Sequence, residues 1–391
     1  MTTTERRVTQ ALINPDMLAW ARQRAGLSTE ALARKLGVKL QRVTDWEMAE
    51  SLPTFRQAQQ WAQQTHTPFG YLFLAQPPGE ELPIPDLRTV GDHGSQQASI
   101  ALRDTINAAW RRQSWYRDYL IEQDAEPLTF VGSISLNNEP KAVAENMRER
   151  LGLPDVPRTG DGSSNMRDLV RRIEAIGVLV MRSSFVGNHT RRPLNPREFR
   201  GFALVDAYAP VIFVNTADAP GAQHFTLVHE LAHIWLGQSG ISDANADAER
   251  QTEQFCNAVA AEFLAPEEAF RPQWQLNIPW ERNLAPLAER FHVSRWVIAR
   301  RARTLGLISK PDYDSYIERR LAAHRLPKSE ENSTTTGPTF YRLLPTRVSR
   351  RLSQAVAIES LSGRLSLREA HQLIGVKPHR MAEFAHKELG L

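Results

Sequence analysis

Residues 224–237 read HFTLVHELAHIWLG, and the alternation of polar and apolar positions in this stretch decides how the middle of the chain folds. It contains His229-Glu230-Leu231-Ala232-His233, the H-E-x-x-H pattern. On a helix, positions i and i+4 lie one turn apart on one face, so both imidazoles can reach one Zn2+ at about 2.0–2.1 Å. Glu230 stands beside them, where its carboxylate can take a proton from water that the metal activates. Phe225, Leu227, Val228, Leu231, Ile234, Trp235 and Leu236 make the stretch apolar on nearly every other side. Such a helix belongs in a core, and polar residues carried into a core need a partner or a ligand. A pair of core histidines without metal is the competing reading of the string alone.

Working outward, two long helical patterns occupy about 219–237 and 247–264, the second ended by Pro266. Before them come a helical stretch near Asn165 to Ala175 and three strand candidates, Val178 to Met181, Phe202 to Val205 and Val211 to Val214. A helix-strand-strand-strand-helix-helix order predicts an α+β domain. Catalytic zinc takes three protein ligands and keeps one position open. The third ligand is sought among Asp243, Asp247, Glu249, Glu253 and Glu262. Glu253 and Glu262 are nine residues apart, half a turn modulo full turns, so only one of the two can meet the metal. Glu253 shares its face with Asn257, a candidate supporting side chain, and with Ala260, small enough to let the two helices approach. Glu262 is expected to face solvent or a surface partner.

The segments VIFVN at 211–215, FTLVHELAH at 225–233 and EQFCNAVAAEFLAP at 253–266 together resemble the ImmA/IrrE-type metallo-endopeptidases, over about residues 160–310. The resemblance implies a zincin-like peptidase domain with a small sheet and an H-E-x-x-H helix. It implies zinc on His229, His233 and Glu253, with Glu230 as the base, and cleavage of an exposed peptide bond in a partner protein. His224 stands where that family usually has Arg, and is expected to be a surface histidine at the helix start. Cys256, one turn from Glu253, is expected to be a small buried residue.

Residues 28–47, STEALARKLGVKLQRVTDWE, carry a second signal. Ser28 can cap a helix whose Leu32 and Leu36 face inward, Ala33 is small where two helices cross, Gly37 permits the turn, and Val43 and Trp46 anchor the next helix. The outward face of that helix offers Lys39, Gln41, Arg42 and Asp45, suited to base edges and phosphates in a major groove of double-stranded DNA. From Leu18 to about Leu74 the chain resembles the Cro/repressor-like (Xre-type) helix-turn-helix family. Thr29 stands where many members have a DNA-contacting Gln, and Asp45 puts an acid on the reading face. Residues 284–301 and 365–388 echo the same helix-turn-helix pattern.

The bulk numbers agree with a DNA-binding regulator. In 391 residues there is room for several domains, 41% of residues are hydrophobic and 24% charged, and no run approaches the ~18 apolar residues that cross a bilayer. The opening MTTTERRVTQALINPD has no apolar core for a secretory signal, and one cysteine cannot form an intrachain disulfide. A cytoplasmic protein with no membrane partner is expected. The net charge of +4 is unevenly spread: residues 1–60 hold nine Lys/Arg against six Asp/Glu, 271–310 eight against two, and 340–391 nine against four. Basic segments around an acidic middle suit a polyanion.

The expected architecture is mainly α with an α+β part: a helix-turn-helix bundle at 1–80, a linker and connecting helical region at 81–159, the peptidase domain at 160–310, a helix and flexible linker at 311–339, and a basic helical unit at 340–391. In the connecting region a helix from about Gln97 to Gln123 is predicted, with Trp110, Trp115 and Tyr119 as core candidates. Two functions fit. One is a regulator that cleaves a repressor-like partner; the other is a non-proteolytic repressor or antitoxin-like protein whose zinc domain senses or binds a toxin or other partner. Either is compatible with a homodimer.

Overall fold

The computed structural model describes residues 10–78, 98–153, 162–242, 251–324 and 340–391. These fall into two compact units, one reaching Asp104 and one beginning at Thr105. The expected linker residues Pro83, Pro85, Gly91 and Gly94, the 328–339 stretch, and Asp243, Asp247 and Glu249 lie outside the described residues.

In the first unit, local signals set the helix ends. Asn14 caps α1 (Pro15–Arg24), which starts on proline, and the Ser28 hydroxyl caps α2 (Thr29–Leu36) by accepting from the Ala31 N–H. Gly37 then turns the chain at φ 68°, a conformation that costs glycine nothing, into α3 (Leu40–Glu47). Thr54 and Gln57 form a capping box that opens α4 (Phe55–Gln64). Leu18, Ala21, Leu32, Val43, Trp46 and Trp61 make the core. The Arg22 guanidinium forks onto Glu47 at 2.6 and 2.9 Å, fixing α1 against α3.

The helix α5 (Ile100–Glu122) runs close to its predicted bounds, but its buried stripe is Ile106, Ala109, Gln113 and Tyr116. Trp110 is 45% exposed, and Trp115 and Tyr119 are only half-buried, which corrects the expected core set. The three residues lie off the i, i+3, i+7 stripe, and aromatic size gave the wrong face. The Gln113 amide donates to the Leu204 and Ala209 carbonyls at 2.8 and 3.0 Å, tying α5 to the sheet.

After α6 (Pro140–Arg150) and α7 (Gly162–Ala175) come β1 (Leu179–Ser183), β2 (Gly201–Leu204) and β3 (Val211–Asn215), then α8 (Pro220–Leu236), β4 (Gly240–Ser242) and α9 (Gln251–Leu264). The sheet order is β1-β3-β2-β4, with β1 parallel to β3 and the other pairs antiparallel. The strands β2 and β3 are buried along both faces, which explains their continuous rather than alternating apolar sequences. The helix α8 packs on β2 and β3, and α9 lies between α8 and α6. Val143 and Met147 of α6 join Leu227, Leu231, Val259 and Phe263 in one core. The short α10 (Glu267–Phe270), then α11 (Leu284–Phe291), α12 (Arg295–Thr304) and α13 (Lys310–His324), complete this side, with Ser294 capping α12.

The last helices, α14 (Phe340–Val348), α15 (Arg350–Leu361), α16 (Leu367–Ile374) and α17 (Met381–Phe384), belong to the second unit. The helix α14 packs on β1, the Ser349 hydroxyl and Arg350 N–H donate to the Glu174 carboxylate, and the Arg351 guanidinium donates to Tyr116 and to the Glu174 carbonyl. Among the described residues no helix is long and apolar enough to cross a membrane.

Candidate metal centre

The site is built where α8 and α9 cross. Asn215 ends β3 with its amide donating to the Phe199 carbonyl at 3.1 Å and its oxygen accepting from Ala217 N–H at 3.0 Å, so the chain turns sharply into α8. The pattern of α8 then points His229 and His233 the same way, both buried. Glu253, in the first turn of α9, comes to meet them. The two Nε2 atoms are 3.1 Å apart, and the Glu253 carboxylate oxygens stand 3.2 Å from His229 Nε2 and 3.1 Å from His233 Nε2.

Two imidazole nitrogens and a carboxylate facing one another in a buried site are all lone-pair donors, so a cation or shared protons must lie between them. Donors about 2.0–2.1 Å from one tetrahedral zinc stand roughly 3.3 Å apart, close to the separations found. Among the described residues these three are the group able to hold a metal ion. The imidazole rings are oriented by packing, since neither Nδ1 atom has a hydrogen-bond partner among the described residues; Phe225 lies 6.2 Å from the His229 ring at 29°. Burial pushes the His229 pKa down. For His233 burial acts in the same direction, yet hydrogen bonds to Cys256 and Glu253 raise it well above its ordinary value. Burial alone would raise Glu253, and the two histidines instead hold it below the carboxylate range.

Glu230 is fully buried beside the triad. Opposite it is Gly201, the first residue of β2, where a Cβ would stand 2.5 Å from Thr226 Cγ2, 2.8 Å from the Phe213 carbonyl and 3.1 Å from Glu230 Oε1. The absence of a side chain there is what lets the strand lie against the face of α8 that carries Glu230.

Residues 173–303 match the family model of the IrrE N-terminal-like domain. This is the family that the H-E-x-x-H region resembles. Residues 18–72 match a helix-turn-helix model, and 348–387 a domain of unknown function, DUF8813. The chain therefore joins a helix-turn-helix module to an IrrE-like metallopeptidase-family domain. A curated relative, the radiation response metalloprotease IrrE of Deinococcus radiodurans, is 38% identical over 91 residues, 22% of this chain and 28% of that protein. The chain thus spans little more than a quarter of the relative's length.

Other residues of the IrrE-like domain depart from the sequence reading. Glu262 does not face solvent: it is buried, accepts from the Arg301 guanidinium and takes the Glu267 N–H at 2.9 Å. Half a turn from Glu253 on a helix covered on two sides, it points into a second protein layer. His224 is not a surface residue either. It is buried near Arg182 and His292, and burial, then those two charges, lower its pKa to about 4. Cys256 is buried as expected, and burial raises the pKa of its thiol. Asn257 lies half-buried on the Glu253 side of α9, and its side chain makes no hydrogen bond among the described residues.

In the helix-turn-helix module, Lys39, Gln41 and Arg42 are exposed, while Thr29 and Asp45 are half-buried. The Gln41 amide donates to Asp45 Oδ1 at 2.9 Å, and the Arg42 guanidinium lies 5.8 Å from the Trp46 ring centroid. The acid on the reading face is thus engaged within its own helix.

Proposed function

We propose that this protein is a cytoplasmic DNA-binding transcriptional regulator whose IrrE-like domain is a zinc endopeptidase that cleaves a repressor-like partner protein. The observation that carries the proposal is the buried convergence of His229, His233 and Glu253 with Glu230 beside them. His229, His233 and Glu253 would hold the ion, which when bound polarises the scissile carbonyl and acidifies water. Three protein ligands leave a fourth position open, as catalysis requires and a structural site does not. Glu230 accepts the proton of the attacking water and delivers it to the leaving amine. Its burial keeps that carboxylate away from bulk solvent. The helix-turn-helix module, through Lys39, Gln41 and Arg42 with Thr29 at the head of α2, docks the chain on double-stranded DNA.

The fusion to a helix-turn-helix module also favours a second reading, a non-proteolytic repressor or antitoxin-like protein whose zinc domain binds a partner. Glu230→Gln separates the two, because it removes the base while keeping size and ligands. In cells carrying a reporter of the controlled promoter, a protease loses its effect in this variant as it does on deletion. Wild-type behaviour of Glu230→Gln in the reporter would sink the peptidase reading.

A further inference from the structure

In the unit that carries the metal centre, α12 presents a second face, opposite its buried side. Its buried side is Val297, Ile298, Ala299, Arg301 and Ala302, which leaves Trp296, Arg300 and Arg303, at i, i+4 and i+7, on the other. Trp296 donates from its indole to the Tyr313 hydroxyl at 2.8 Å, the Arg303 guanidinium lies 5.2 Å from the Tyr313 ring, and the Arg200 guanidinium lies 5.2 Å from the Trp296 ring. Arg200 immediately precedes Gly201, the residue against Glu230. A strip of arginines and aromatics therefore starts from Arg200, one residue before the strand position that lies against Glu230, and runs along α12.

The charge on this strip is poorly balanced. Arg200 has Asp218 at 3.5 Å, but among the described residues no carboxylate lies within ion-pair distance of Arg300 or Arg303. Arg300 is half-buried. A half-buried guanidinium without a counter-ion has lost part of its hydration and gains most from an anion supplied from outside.

We propose that this strip is a specificity subsite that takes an acidic side chain of the bound polypeptide, with Arg300 as its principal anchor, within a few residues of the scissile bond. The proposal rests on the reading of the neighbouring centre as a peptidase. The seven helical steps from Trp296 to Arg303 cover about 10 Å, which an extended peptide spans with roughly three residues. A nucleic-acid strand fits less well, because it needs free aromatic faces on which bases stack, and Trp296 already has Arg200 over its ring.

The test uses the full chain loaded with zinc and carrying Glu230→Gln, so that peptides bind without being cut, and reads anisotropy of dye-labelled peptide libraries. Peptides bearing Asp or Glu are expected to bind at least about tenfold more tightly than otherwise identical Gln and Lys peptides, with the gap narrowing at high salt. Arg300→Gln should abolish that gap, and Arg300→Glu should reverse it towards Lys peptides, which a merely structural role would not do. Arg303→Glu, at an exposed position, provides the same test in reduced form if Arg300→Glu does not fold. Binding that ignores peptide charge, or a gap that survives Arg300→Gln, overturns the subsite while leaving the peptidase reading intact. If no peptide binds yet wild type cuts a partner protein, the subsite is likewise overturned; if no peptide binds and nothing is cut, both readings fall.

Discussion

Glu262 and Glu253 sit on one helix with opposite fates, and single substitutions tell them apart. Removing the Glu262 carboxylate leaves Arg301 buried without its partner, which costs about 3–5 kcal/mol, yet the folded protein should keep its zinc. Removing His229, His233 or Glu253 should instead take metal content from about one zinc per chain to near none. Metal analysis of the folded variants beside their denaturation midpoints checks both; stoichiometric zinc in Glu253→Ala would refute the ligand set. His224 gives a pH signature. Its folded pKa of about 4 lies below the ordinary histidine value of 6.5, so between those values the unfolded chain binds more protons. Stability should therefore fall as pH drops from about 6.5 towards 4, by on the order of 3 kcal/mol for a shift of this size. Urea midpoints measured across that window should flatten in His224→Leu, and an unchanged slope would contradict the burial argument.

At the scale of elements, the contact of β2 with α8 rests on Gly201. A valine there must push Thr226 or the Phe213 carbonyl away, with an overpacking cost of roughly 1–3 kcal/mol and a displaced Glu230. Loss of activity with retained zinc, and a lower melting temperature, are the expected result; wild-type activity in Gly201→Val would refute the tight contact. In the helix-turn-helix module, Lys39→Ala or Arg42→Ala should weaken DNA binding, by about 1–3 kcal/mol for a bidentate base contact and with a salt slope shallower by about one for a phosphate contact. Titrations at several salt concentrations measure this, and indifference to both would make the module a protein-binding one. Much of this layer was legible in the sequence because the signals are local: Ser28, Gly37, the H-E-x-x-H spacing and three apolar strand runs each specify their own element. What escaped depends on distant partners. Nothing near Glu262 announces Arg301, nothing near His224 announces Arg182 and His292, and the buried stripe of α5 is set by the sheet it meets rather than by its largest side chains. The three-residue β4 is too short to leave a pattern, and Gly201 reads in sequence as an ordinary glycine.

At the scale of the whole molecule, a helix-turn-helix unit is joined to a unit in which His229, His233, Glu253 and Glu230 share one sheet and its helices, with the C-terminal helices laid on β1 of that same unit. The proposed reaction is hydrolysis of a peptide bond at the His229, His233 and Glu253 centre with Glu230 as base. The most direct test is to incubate the purified zinc-loaded chain with the partner protein that copurifies with it and to weigh the products by intact-mass spectrometry. Two complementary fragments whose masses sum to the partner plus one water are expected, formed at least about 10²-fold more slowly by Glu230→Gln at equal zinc content and abolished by a chelator. An intact partner after prolonged incubation with wild type, or fragments made equally fast by Glu230→Gln, would contradict the proposed reaction.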